Sequence, residues 1–195
     1  MKFREFLVVT HRWIGLGAAI VLLAAGATGA VLVWVQHTDG DTLTRLHTRL
    51  LIGEPGEWLV ITSTIAAVLL AIGGVILWWR RKIFALRRGR SAWRTWFDLH
   101  HAVGIFGTIV MLLIAASGLG LVLTEEEGEE EGSRPVETAP EVVDPVRRLV
   151  YDLHTGSPYP LPVKIVYALG SLAFVMQSIS GYKMWRKPAA ERDQA

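Results

Sequence analysis

Four apolar stretches, residues 13–35, 58–79, 102–123 and 163–185, dominate the sequence, and each is long enough to cross a lipid bilayer. As helices of about 22 residues they reach about 33 Å, against a hydrocarbon core of about 30 Å. Inside lipid every backbone N–H and C=O needs a partner, so uniformly apolar runs of this length fold as helices. Strands of a membrane barrel would alternate apolar with polar residues, which these runs do not. Among the four, charge enters the last one alone, with Lys164 in its first turn and Lys183 in its final turn, where an amine can reach the headgroups. The expected fold is therefore an all-α membrane protein, a four-helix bundle.

Charge sets the orientation. Residues 1–12, 80–101 and 183–195 hold 14 of the 20 Lys and Arg with four acids, whereas 36–57 and 124–164 hold six basic residues and 14 acids. The positive-inside rule puts the first set, and so both termini, in the cytoplasm of a bacterium, with the chain multi-pass in the inner membrane. Trp34, Trp58, Trp78, Trp79 and Trp185 fall near span ends, where interfacial aromatics belong. The basic run "RRKIFALRRGR" anchors this topology and meets anionic lipid, so it needs no nucleic-acid partner. Lys2, Arg4 and the small-residue run "AGATGA" look like parts of a secretory signal peptide, but the apolar region is too long and its pattern recurs inside the chain.

That recurrence is an internal duplication. At an offset of 89, His11 falls on His100, Gly15 on Gly104, and Thr28-Gly29 on Ser117-Gly118. At an offset of 107, Leu46-His47-Thr48 falls on Leu153-His154-Thr155, Pro55 on Pro162, Gly74 on Gly181, and Trp78 on Trp185. The chain reads as two parallel two-helix repeats, residues 1–90 and 91–195, separated by an acidic periplasmic loop over 124–150. Duplication also sorts the six histidines: His11, His100, His47 and His154 occupy equivalent places, whereas His37 and His101 do not.

Topology then pairs them. His11 faces His100 near the cytoplasmic surface, and His47 faces His154 near the outer one. Two facing imidazoles in an apolar bundle suit the axial positions of a b-type haem, which makes the four histidines candidate iron ligands and two haems b the expected cofactors. A bare metal asks for three or four ligands, and no acid repeats beside these histidines. With no cysteine in the chain, thiolate sites, iron–sulfur clusters and covalently attached haem are excluded. Gly15, Gly104, Gly29, Gly118, Gly74 and Gly181 lie at the two histidine depths, about 27 Å apart along a helix, and are expected to form a trough for the porphyrin edge. Small-residue helix packing is the competing explanation of those glycines. Arg12 is a candidate partner for a haem propionate.

The motifs "HRWIGL", "DLHHAVG", "LHTRLLIGEPG" with "GGVILWWRRK", and "LHTGSPYPLP" with "SGYKMWRK" resemble the PepSY-associated transmembrane family, which includes inner-membrane ferric-siderophore reductases. The resemblance implies a four-helix core whose two b haems, on His11, His47, His100 and His154, pass electrons to the periplasmic side. It implies a cytoplasmic electron donor such as a quinol, flavin or reductase. The acceptor outside would be ferric iron, a ferric siderophore or a redox protein. Larger family members carry folded domains in the outer connections, for which this chain has too few residues. The acidic run "EEEGEEEGSRPVETAPEVVD" reads as a solvated linker or as a docking surface for a basic partner. Two other classes remain open at this level: the cytochrome b subunit of a larger quinone-linked or dehydrogenase complex, and a cofactor-free membrane anchor or regulator.

Overall fold

The computed structural model describes residues 3–35, 42–79, 92–131, 145–156 and 158–186. His37, the basic residues 80–91 and the acidic residues 132–144 lie outside them. Six helices form the described chain: α1 (Phe3–Leu32), α2 (Thr42–Arg49), α3 (Glu54–Trp79), α4 (Ala92–Glu131), α5 (Pro145–Thr155) and α6 (Leu161–Trp185).

Four of these, α1, α3, α4 up to Thr124 and α6, are long and apolar enough to span a membrane. They run further than their apolar stretches. The 30 residues of α1 reach about 45 Å, so its first two turns, with Arg4 and Glu5, extend past the hydrocarbon core. The backbone of α4 stays helical to Glu131, so the glutamate run begins on a helix rather than opening a loop at residue 124. Glutamate is a good helix former, so the run can continue the helix. The two short helices, α2 and α5, have no counterpart among the four predicted spans. They are polar on one side and only eight and 11 residues long, which hides them from a search for apolar runs.

α1 packs against α3 and α6, and α4 packs against the same two helices, so the four spans close a ring with α1 diagonal to α4. α2 rests on α1 and α3, and α5 on α4. The N-terminal ends of α1 and α4 and the C-terminal ends of α3 and α6 form one end of the ring, named the basic end below for the charge of the adjoining sequence, and the opposite end is named the acidic end. Burial is the reverse of a water-soluble bundle. Buried positions include Ala18, Thr28, Ser63, Ala67, Ser171 and Ser180, whereas Ile20 and Ile109 are 82 and 81 % exposed. Lipid is as apolar as leucine, so large aliphatic side chains gain nothing by turning inward, and small residues let backbones approach.

Those approaches are close. A methyl group on Gly26 of α1 would stand 2.7 Å from the Ser171 carbonyl oxygen of α6, and one on Gly170 would run into Val110 of α4. Prolines open the helices where a missing N–H costs nothing: Pro55 in the first turn of α3, Pro145 at the start of α5, and Pro162 in the first turn of α6. Gly156, at φ +64°, ends α5 in the left-handed conformation, and its N–H donates to Asp152 O at 3.0 Å. The ring of Tyr167 fills the space a Cβ there would need, and its hydroxyl donates to Leu153 O at 2.7 Å, fixing the end of α5 against α6.

Gly26→Ala is expected to destabilise the bundle by about 1–3 kcal/mol through overpacking, read as a lower apparent Tm in detergent. Gly17→Ala, which meets nothing within 4 Å, should leave Tm unchanged or raise it slightly.

Candidate functional site

Histidines meet in two pairs. At the basic end the rings of His11 on α1 and His100 on α4 have centres 6.4 Å apart, with planes at 86°. At the acidic end the rings of His47 on α2 and His154 on α5 have centres 6.0 Å apart, with planes at 51°. The acidic-end pair therefore comes from the two short helices, and the spans carry imidazoles at the basic end.

Hydrogen bonds orient three of the four rings. Thr28 Oγ1 donates to its own helix at Ala24 O, 2.8 Å away, and lies 2.8 Å from His47 Nδ1. A hydroxyl has one proton, so with that proton on the Ala24 carbonyl the bond to His47 is made when Nδ1 carries the hydrogen and donates it. Ser180 repeats the arrangement at the other end. With its proton on Met176 O, 2.6 Å away, its oxygen lies 2.8 Å from His100 Nδ1 and bonds it in the same tautomer. His154 Nδ1 lies 3.0 Å from Ile114 O, which makes it a donor without ambiguity, with Ser117 Oγ further off at 3.5 Å. In neutral imidazole a proton on Nδ1 leaves the lone pair on Nε2, the state a metal ligand needs. His11 differs: its Nδ1 is buried with no hydrogen-bond partner among the described residues.

The expected trough glycines lie beside the imidazole rings. A methyl group on Gly29 would stand 3.3 Å from His47 Cε1, on Gly118 2.9 Å from His154 Cε1, on Gly74 3.6 Å from His11 Cε1, and on Gly181 3.8 Å from His100 Cε1. These four residues seat the imidazole rings. On α1, Gly26 serves the α1–α6 crossing and a Cβ on Gly15 would touch Leu70 of α3. Gly15 and Gly104 line a partly open cavity of about 410 Å³ that reaches both His11 and His100, together with Gly74 and Gly181.

Further residues border this basic-end cavity. Arg12, whose guanidinium lies 5.6 Å from the Trp13 ring centre, is among them, and so is Arg4. Gln177 of α6 donates to His100 O at 2.9 Å. His101 also lines the cavity, but its Nδ1 bonds back to Phe97 O at 2.9 Å and its ring lies against Phe97, whereas His100 faces His11. Among the described residues no group of three or more His, Cys, Asp or Glu is placed to hold a bare metal ion.

The ring anchors Thr28, Ser117 and Ser180 were visible as hydroxyl residues just before a repeated glycine, but sequence spacing showed only that they are small. Arg4, Gln177 and Tyr167 carried no motif at all.

Residues 35–140 match the description of the PepSY-associated TM region. The chain belongs to that family. The match takes in His47 and His100, while His11 and His154 lie beyond it on either side. An uncharacterised protein of Pseudomonas aeruginosa is 39 % identical over 90 residues, 43 % of this chain and 23 % of that protein. The chain thus spans about a quarter of that relative's length. No solved structure matches the chain. Family and spans together describe a multi-pass α-helical protein of the inner membrane.

Because the four seats differ in clearance, alanine substitutions should rank by it. Gly118→Ala must displace His154 and cost about 1–3 kcal/mol. Gly181→Ala, with 3.8 Å to spare, should leave the His100 imidazole signals in a ¹⁵N histidine spectrum unmoved.

Proposed function

We propose that the protein is a small di-haem b cytochrome of the bacterial inner membrane, made of two parallel two-helix repeats with both termini cytoplasmic. One haem would be held by His11 and His100 at the basic, cytoplasmic end. The other would be held by His47 and His154 at the acidic, periplasmic end. The observation that carries this is the spacing of the two facing pairs. Iron bonded to one nitrogen of each of two imidazoles, at about 2 Å per bond, sets ring centres roughly 6 Å apart. The two pairs stand at 6.4 and 6.0 Å.

The donor set fits the group. His47, His100 and His154 donate from Nδ1, so each presents Nε2 as a lone pair held in a fixed direction. The pairs lie at opposite ends of the spans, His11 and the seat of His47 at Gly29 being about 27 Å apart along α1. The cavity reaching His11 and His100 supplies space, and Arg4 and Arg12 on its border would offer guanidinium groups to the propionates. The repeat reading draws support from the ring of spans, in which α1 with α3 and α4 with α6 form neighbouring pairs, each preceded at its second span by a short histidine-bearing helix.

When bound, haem supplies one-electron exchange between ferric and ferrous iron. The chain's share is to clamp the ring from both faces, keep water from the axial positions, and hold each Nδ1 proton where it is. No side chain need act as an acid or base. By family resemblance the electrons come from a quinol, flavin or reductase in the cytoplasm and reduce ferric iron or a ferric chelate outside.

A dithionite-reduced minus oxidised spectrum of the purified protein is expected to show two b haems per chain. His11→Ala should remove one and leave the other, and His47→Ala the converse. The ring planes add a finer signature. Near-perpendicular imidazoles leave the iron d orbitals nearly degenerate, so the basic-end haem should give the more axial low-spin ferric EPR signal. Colourless protein after expression with ample haem would end this reading.

A further inference from the structure

Three histidines are anchored by a carbonyl or hydroxyl from the helix that seats them, and the fourth is not. The hydroxyl residue sits just before the seating glycine in Thr28-Gly29, Ser117-Gly118 and Ser180-Gly181. At the equivalent place for His11 the pair is Gly73-Gly74. The seat survives, since a methyl group on Gly74 would lie 3.6 Å from His11 Cε1. The acceptor does not: a Cβ on Gly73 would point at His11 Nδ1 from 3.6 Å, and that nitrogen is buried with no hydrogen-bond partner among the described residues.

We propose that Gly73 is a positioning residue that makes the two axial ligands at the basic end unequal, His100 being anchored through Nδ1 and His11 not. This rests on the di-haem reading above. An imidazole that donates from Nδ1 becomes the stronger base at Nε2 and favours ferric over ferrous iron. His11, without that bond, is the weaker donor, so the basic-end haem has a higher midpoint potential than a fully anchored pair would give it. Without a metal, the proton of His11 rests on Nε2, because a proton on Nδ1 would be buried with nothing to accept it.

Gly73→Ser restores the missing partner, its hydroxyl donating to the carbonyl four residues back and accepting from His11 Nδ1. Gly73→Ala adds the same Cβ, at ordinary contact distance, without the acceptor. In spectroelectrochemical titration of the full-length protein, Gly73→Ser should lower the basic-end midpoint and leave the acidic-end one in place, while Gly73→Ala should move neither. Ser180→Ala should raise the same midpoint. Equal shifts for the Ser and Ala variants, or a shift of the acidic-end haem, would overturn the proposal.

A second readout needs no haem. In ¹⁵N histidine spectra of the metal-free protein, His47, His100 and His154 should be Nδ1-protonated and His11 Nε2-protonated, with Gly73→Ser converting His11. Finding His11 already Nδ1-protonated defeats this inference and leaves the di-haem reading standing. Colourless protein with the expected His11 tautomer ends the di-haem reading and the ligand role of Gly73 with it, leaving only the difference in anchoring between His11 and His100.

Discussion

The hydroxyl that hands its proton to its own helix is the small constraint on which the site depends. Because Thr28 and Ser180 donate to Ala24 O and Met176 O, their oxygens are left as acceptors facing His47 and His100. Such back-bonding normally does little for a helix. Here it selects a tautomer. It fixes which nitrogen of each imidazole carries hydrogen and which carries the lone pair, and it does so inside a low-dielectric bundle where an unmatched polar atom is costly. The glycine that follows each hydroxyl lets the ring come close enough for the bond to form.

Lipid as the outer solvent makes this economy workable. With large side chains such as Ile20, Phe106 and Ile109 turned outward, the bundle interior is left to alanine, serine, threonine and glycine. Small residues would make a poor core in water, where burial of apolar area is the main drive. Between spans they allow backbones to approach at Gly26 and Gly170, and at the histidine depths they become recesses for rings. Packing glycines and seating glycines look alike in sequence. Only the partner across the gap tells them apart.

That likeness marks the boundary of what was legible beforehand. The four spans could be read because bilayer thickness demands a long uninterrupted apolar run, a signal carried by every residue from Trp58 to Trp79, for instance. The partnering of His11 with His100 and of His47 with His154 could be read because residues matched at offsets of 89 and 107 were expected to lie opposite one another. Which elements carry the second pair could not. Helices of eight and 11 residues that owe their order to neighbours leave no apolar run to detect. The role of Gly29 or Gly181 was likewise hidden, because offset arithmetic gives depth along a helix and not the direction of the neighbouring side chain. His100 and His101 were separable on the repeat register, and the Ser180 bond adds the physical reason.

The shortness of α2 and α5 bears on how the molecule matures. Isolated helices below about 12–15 residues are marginal in water. His11 and His100 are carried by spans that become helical on entering the bilayer, whereas His47 and His154 ride on segments that take shape after those spans have gathered. The recess at the basic end is therefore built by the four packed spans themselves, with Gly74 of α3 and Gly181 of α6 against its two rings, whereas its counterpart across the membrane also needs the two short helices to be ordered. Any group that bridges the late pair also contributes to folding there, tying occupancy of that face to the ordering of its surface helices.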